Sequence, residues 1–190
     1  WLWANPEVLE NAGVSLPTTL EEFYAAAEKL KADGIVPLAH GGQPWQDATV
    51  FEAVALAVMG PGDFASAFVE HDMDVINSAQ MEEVFAEFAK VMSYVDDNAA
   101  GRDWNTATGM VIRGEAAMQI MGDWAKGEFT AAGLTPGEDY ICAPAPGTGG
   151  QFTFNVDSFA MFSLSDEDNT MAQKDLARTI MEPEFQTVFN

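Results

Sequence analysis

Apolar residues at helical spacing alternate along this chain with short apolar runs of strand length, and that alternation constrains the fold more than any other feature. Asn5-Pro6 opens a short helix that ends near Gly13. Thr18 with Glu21 and Thr19 with Glu22 form two overlapping capping boxes, and Leu20, Phe23, Tyr24, Ala27 and Leu30 follow at helical spacing. Residues 35–39 read as a strand and 40–46 as a loop. The next helix carries Phe51, Val54, Ala55, Val58 and Met59 until Gly60-Pro61-Gly62 breaks it. Ser78 caps a helix whose stripe is Met81, Val84, Phe85, Phe88, Val91, Met92 and Val95. A helix from Asn105 or Thr106 to about Arg113 precedes a strand over 116–121. Gly122-Asp123 then turns into a helix through Trp124 and Phe129. A strand at 140–143, a Pro/Gly loop, extended segments at 152–156 and 158–164, and a last helix capped by Asn169 complete the order. Helices alternating with strands define an α/β fold.

The 190 residues, 48% of them hydrophobic, suffice to bury a core in one or two domains. Thirty acidic against eight basic side chains leave a net charge of −22. Phosphate backbones and anionic lipid surfaces would be repelled, which argues against nucleic acid and against a membrane surface as partners. The acid excess reads as a solvated surface suited to a salty environment. It does not read as a metal site, because Asp166-Glu167-Asp168 lacks the alternating spacing of a calcium loop. Cys142 is the one cysteine, within an apolar run, and reads as a structural thiol with no disulfide framework around it. No uninterrupted apolar run reaches the roughly 18 residues of a membrane helix. The first residue is Trp1, and the pattern over 183–190 still reads as helix at its end, so the expectation is an internal piece of a longer chain with any signal peptide upstream.

The chemistry-bearing positions point to binding more than to catalysis. His40 and His71 are the two histidines, and neither has paired metal-ligand spacing. A nucleophile elbow is missing, and Gly147-Thr148-Gly149-Gly150 lacks the Gly-Lys-Ser/Thr ending of a P-loop. Among five tryptophans, two sit in loops beside hydrogen-bonding residues. Trp45 is flanked by Gln43, Gln46 and Asp47, and Trp124 by Asp123 and Lys126, one of only eight cations. A pyranose lays its C–H face on an indole and offers its hydroxyl rim to amides and charges, and such a pairing suits it. His40 lines the same loop as Trp45. The plain alternative for each tryptophan is a core role, and for Lys126 a surface lysine.

Five segments, in order, resemble the family 1 extracellular solute-binding proteins, specifically the glucose/mannose-type sugar binders of ABC transporters. They are Trp3-Ala4-Asn5-Pro6-Glu7-Val8-Leu9 with Leu16-Pro17-Thr18-Thr19-Leu20-Glu21-Glu22-Phe23; Gly34-Ile35-Val36-Pro37-Leu38-Ala39 with Gly42-Gln43-Pro44-Trp45-Gln46; Gly114-Glu115-Ala116-Ala117-Met118 leading to Gly122-Asp123-Trp124; Asn155-Val156-Asp157-Ser158-Phe159-Ala160-Met161; and Pro183-Glu184-Phe185-Gln186-Thr187-Val188-Phe189-Asn190. Leu20 stands where the family usually has Trp. The resemblance implies an α/β periplasmic-binding-protein-like fold of type II. Residues 1–156 would be mainly the C-terminal lobe, and 157–190 a crossover strand with returning, truncated helices of the N-terminal lobe. It further implies an extracytoplasmic or periplasmic subunit of an importer that captures a glucose-like monosaccharide between two lobes and delivers it to a membrane permease. Such a protein is not an enzyme, needs no cofactor and does not itself insert in the membrane. The sugar contacts carry over to Trp45, Gln46, Trp124, Lys126 and Asp157, with His40 and Asp123 beside them. The competing readings are a fragment of a carbohydrate-active hydrolase, a binding protein for another solute, and a secreted adhesion module.

Overall fold

A computed structural model describes residues 1–189, which divide into two compact units, Trp1–Thr153 and a second starting at Phe154.

The first unit is built on a four-stranded mixed sheet in the order β2 (Val36–Leu38), β3 (Ala116–Ile120), β1 (Leu2–Ala4), β4 (Ile141–Ala143). Strand β1 (Leu2–Ala4) lies antiparallel to β3 (Ala116–Ile120), with Leu2 opposite Ile120 and Ala4 opposite Met118. On its other side β1 pairs antiparallel with β4 (Ile141–Ala143). Strand β2 (Val36–Leu38) runs parallel to β3, placing Val36 opposite Ala116 and Leu38 opposite Met118. All five residues of β3 are buried, as expected for a strand covered on both faces.

Side chains alternate across the sheet and feed two cores. Leu2, Ala4, Met118 and Ile120 meet α1 (Pro6–Ala12), α2 (Leu20–Ala32), α3 (Pro44–Phe68) and α5 (Ala79–Met92) through Leu9, Phe23, Leu30, Val50, Val54 and Val91. Trp3 packs with α6 (Trp104–Ile112) and α7 (Lys126–Ala131) through Val111 and Phe129, and with Tyr140. Its indole stacks on Phe129 at 5.4 Å and donates from Nε1 to the carbonyl of Met121 at 3.2 Å. A short α4 (Met73–Ile76) links α3 to α5, and Ala55, Met59, Met81 and Val84 pack between those two helices.

Local signals explain the helix starts. Thr19 accepts from the amide of Glu22, and the Glu22 carboxylate reaches back to the amide and hydroxyl of Thr18. Those hydrogen bonds hold the Glu22 carboxyl below its ordinary pKa. Ser78 accepts from the amide of Met81, as a Ser N-cap should. Helix α3 has the length and mean hydropathy of a membrane span, but Gly60 leaves the helical region at φ 71° and ψ 172° and Pro61 restarts it. Buried Val50, Val54, Ala55 and Leu56 mark it as a core helix.

In the second unit, α8 (Glu167–Ile180) is followed by α9 (Pro183–Phe189). Asp166, not Asn169, caps α8, accepting from the amide of Asn169 at 2.8 Å. The segments 152–156 and 158–164, expected as extended, form no strand among the described residues, because their backbones find no ladder partner. Phe162 is satisfied instead by the side chain of Gln173. Its amide donates to Gln173 Oε1, and Gln173 Nε2 donates to its carbonyl, both at 3.0 Å. Asn190, read as continuing the last helix, lies outside the described residues.

Candidate functional site

Two loops leave the same edge of the first unit's sheet. Because β2 and β3 are parallel neighbours, their C-terminal ends lie side by side. The chain after β2 becomes the loop into α3, and the chain after β3 becomes the turn at Gly122. In open α/β sheets this carboxyl edge is where ligands bind. Trp45 and Trp124 meet there, with ring centroids 6.2 Å apart and planes inclined at 57°. Their exposures of 42% and 39% contrast with 2% for Trp3, so two of the indoles offer surface to a ligand while the third is core.

The helix starts earlier than the sequence indicated. Pro44 occupies the first turn of α3, so Trp45 and Gln46 sit on a helical turn and not in a free loop. This fixes the backbone that carries the Trp45 side chain. Its Nε1 donates to Gln43 Oε1 at 2.9 Å. Gln43 Oε1 also accepts from Gln46 Nε2 at 3.1 Å, and Gln43 Nε2 donates to Asp103 Oδ1 at 3.2 Å.

The segment 96–103 buttresses this loop. Arg102 forms a two-pronged ion pair with Asp96 at 2.7 and 2.8 Å, and its Nη1 also donates to the carbonyl of His40 at 2.9 Å. The amide of Gly42 donates to the carbonyl of Arg102 at 3.0 Å. The two backbones approach so closely that a Cβ at Gly42 would stand 2.7 Å from the carbonyl oxygen of Ala99. The guanidinium holds the Asp96 carboxyl below the usual aspartate range.

The turn after β3 positions Trp124 by a different device. Gly122 precedes a single 3-10 turn over Asp123–Ala125, and the six-membered ring of Trp124 lies where a Cβ on Gly122 would be. The indole is thus laid flat against backbone.

The remaining expected residues take varied positions. Asp123 and Lys126 are exposed on the turn carrying Trp124, and the side chain of Lys126 makes no hydrogen bond or ion pair among the described residues. Gln46 is fully buried behind Trp45, and its Oε1 has no hydrogen-bond partner among the described residues. His40 is buried too, its Nε2 lying 2.8 Å from Asp47 Oδ1. Asp157 is exposed and belongs to the second unit. Arg102 and Asp103 were not anticipated as parts of this arrangement, and Gln43 was read only as an amide flanking Trp45. The Gly41-Gly42 pair was the available signal, since adjacent glycines mark a place where another backbone comes close. Among the described residues no group of three His, Cys, Asp or Glu side chains is placed to hold a metal ion.

Solved structures share this mixed α/β architecture. A Streptococcus pneumoniae solute-binding protein in complex with the blood group A-trisaccharide matches 98% of this chain and 46% of its own, with a TM-score of 0.70 and 18% identity. A manno-oligosaccharide-specific binding protein from Bifidobacterium animalis matches 96% of this chain and 46% of its own, with a TM-score of 0.64 and 22% identity. The fold is therefore α/β and periplasmic-binding-protein-like, of type II.

Residues 1–178 match the family model of the bacterial extracellular solute-binding proteins, and the chain belongs to that family. Probable sugar-binding periplasmic proteins of Brucella suis and Rhizobium meliloti are each 50% identical over the whole chain. An uncharacterised ABC transporter extracellular-binding protein of Pyrococcus horikoshii is 33% identical. The chain spans 45% of the Brucella and Rhizobium proteins and 42% of the Pyrococcus protein, less than half of each.

Proposed function

We propose that this chain is the recognition portion of an extracytoplasmic carbohydrate-binding subunit of an ABC importer, and that it captures a glucose-like monosaccharide in a cleft between two lobes. The observation that carries the reading is the exposed Trp45–Trp124 pair at the carboxyl edge of the sheet. The apolar face of a pyranose stacks on Trp124. Lys126 and Asp123 on the same turn meet its hydroxyl rim with charge-assisted hydrogen bonds. Gln46 and His40, buried behind Trp45, act by holding the loop. Residues 1–156 are assigned mainly to the C-terminal lobe and 157–190 to the crossing into the N-terminal lobe, and Asp157 is assigned by itself as a carboxylate able to accept from sugar hydroxyls.

The relatives' names support the sugar and the periplasm. The neighbours bind varied sugars, from the β-D-galactopyranose preferred by the solute receptor AcbH to mannotriose. Capture followed by release to a membrane permease requires binding without turnover, so the subunit is not an enzyme. Equilibrium dialysis with radiolabelled glucose, alongside a chromogenic glucoside, tests this. The account expects saturable uptake, lost in Trp124→Ala, and no release of chromophore. Turnover of the glucoside that depends on a carboxylate beside Trp124 would replace capture by hydrolysis.

A further inference from the structure

Gln43 accounts for the pose of the Trp45 indole, although the sequence shows it only as one of the amides flanking that residue. Its amide is a three-way junction, with Oε1 accepting from Trp45 Nε1 and Gln46 Nε2 while Nε2 donates to Asp103 Oδ1. The orientation of the amide is unambiguous, because an indole N–H can only donate and an aspartate carboxylate can only accept. Each partner belongs to a different part of the site. Trp45 is the exposed aromatic surface, Gln46 the buried start of α3, and Asp103 the N-cap of α6 at the end of the buttressing segment. The same segment grips the loop through Arg102 and the close approach at Gly42.

We infer that Gln43 is a positioning residue that sets the angle of the Trp45 indole against Trp124, with Asp103 as its anchor. A free Trp side chain at a helix start samples several rotamers, and only a fixed one keeps two indoles at a single distance and tilt. The junction supplies the fixing bond at Nε1. It leaves that N–H occupied, so Trp45 presents its ring face and edge, and no donor, to a ligand. The consequence for sugar affinity rests on the proposed function, whereas the consequence for indole geometry does not.

The test is a charge swap. Gln43→Glu keeps the acceptor for Trp45 and Gln46 but sets a carboxylate against Asp103. Asp103→Asn alone keeps the junction, since the Oδ1 of an asparagine still accepts from Gln43. It also leaves the α6 cap intact, because Asp103 makes no side-chain capping bond and Asn caps as well as Asp. In the double variant, Gln43→Glu with Asp103→Asn, the new carboxylate accepts from the new amide and the junction reforms with its polarity exchanged. The readout is the exciton couplet of the two indoles in circular dichroism, identified by its loss in both Trp45→Phe and Trp124→Phe. The couplet is expected to collapse in Gln43→Glu, persist in Asp103→Asn and return in the double variant. Sugar affinity should follow it, falling about threefold in the first, ~0.65 kcal/mol. An unchanged couplet in Gln43→Glu, or a double variant no better than the single one, would overturn the inference. The couplet is read without sugar, so a failure to bind any sugar counts against the functional proposal alone.

Discussion

The indoles of Trp45 and Trp124 lie 6.2 Å apart at 57°, brought together because the parallel strands β2 and β3 end at the same edge of the sheet. Parallel planes at that spacing would leave too little room for a sugar ring between them, so the pair forms one angled surface. The two members should contribute unequally. Trp124→Ala is expected to weaken sugar binding by about ten- to a hundredfold, ~1.4–2.8 kcal/mol, as truncation of an aromatic anchor does. Trp45→Phe should cost only a fewfold. Titration calorimetry on both variants measures the difference.

Gly122 is predicted to be needed for the pose of Trp124. A methyl group there would occupy the space of the indole's six-membered ring. Gly122→Ala should displace the ring, removing the exciton couplet at an overpacking cost of about 1–3 kcal/mol in urea denaturation. Gly127→Ala, farther along the same segment with open space around it, should leave the couplet unchanged and raise stability by about 0.4–1 kcal/mol.

The Asp96–Arg102 pair predicts acid sensitivity with a definite sign. The folded state holds the Asp96 carboxyl below its ordinary pKa, so folding is favoured by its ionised form. That contribution is present in full above the ordinary aspartate pKa of about 4 and is lost as pH falls through the depressed folded-state value. Urea midpoints of the parent chain should therefore drop below about pH 4 more steeply than those of Asp96→Asn. Glu22 and Glu115 are lowered as well, and comparing the two chains cancels them. Arg102→Met at neutral pH should cost about 2–3 kcal/mol, since both partners are largely buried and the bonds are charged.

Beneath the site, Thr108 Oγ1 lies 2.8 Å from Gln119 Oε1, and Gln119 Nε2 donates to the carbonyl of Trp104 at 3.2 Å. Both Thr108 and Gln119 are fully buried. Thr108→Val keeps the volume but strands the Gln119 oxygen, for an expected loss of about 1–3 kcal/mol in thermal unfolding. Thr108→Ser should retain the hydrogen bond and most of the stability.

Much of the fold was legible because it rests on local rules. The break at Gly60-Pro61, the Thr19 and Ser78 caps and the buried positions Met81, Val84 and Val91 follow from neighbours in sequence, whereas Phe85 of the same stripe is exposed. The errors arose where geometry beyond the local pattern decides. Residues 152–156 and 158–164 have strand composition, yet a strand exists only if another backbone pairs with it, and Phe162 pairs with the side chain of Gln173. Asp166 and Asn169 are both good capping residues three positions apart, and only the backbone conformation chooses Asp166. Within the site, Trp45 and Trp124 were identifiable by residue type and their polar neighbours. Gln43 was visible only as a flanking amide, since its role depends on Asp103, which sequence does not place beside it.

Whether the Trp45–Trp124 surface takes a sugar is decided by a titration of intrinsic tryptophan fluorescence against glucose, mannose, galactose and xylose. A saturable shift with glucose or a close epimer is expected, and it should disappear in Trp124→Ala. A flat response to all four sugars from a chain shown to be folded would contradict sugar capture at this surface.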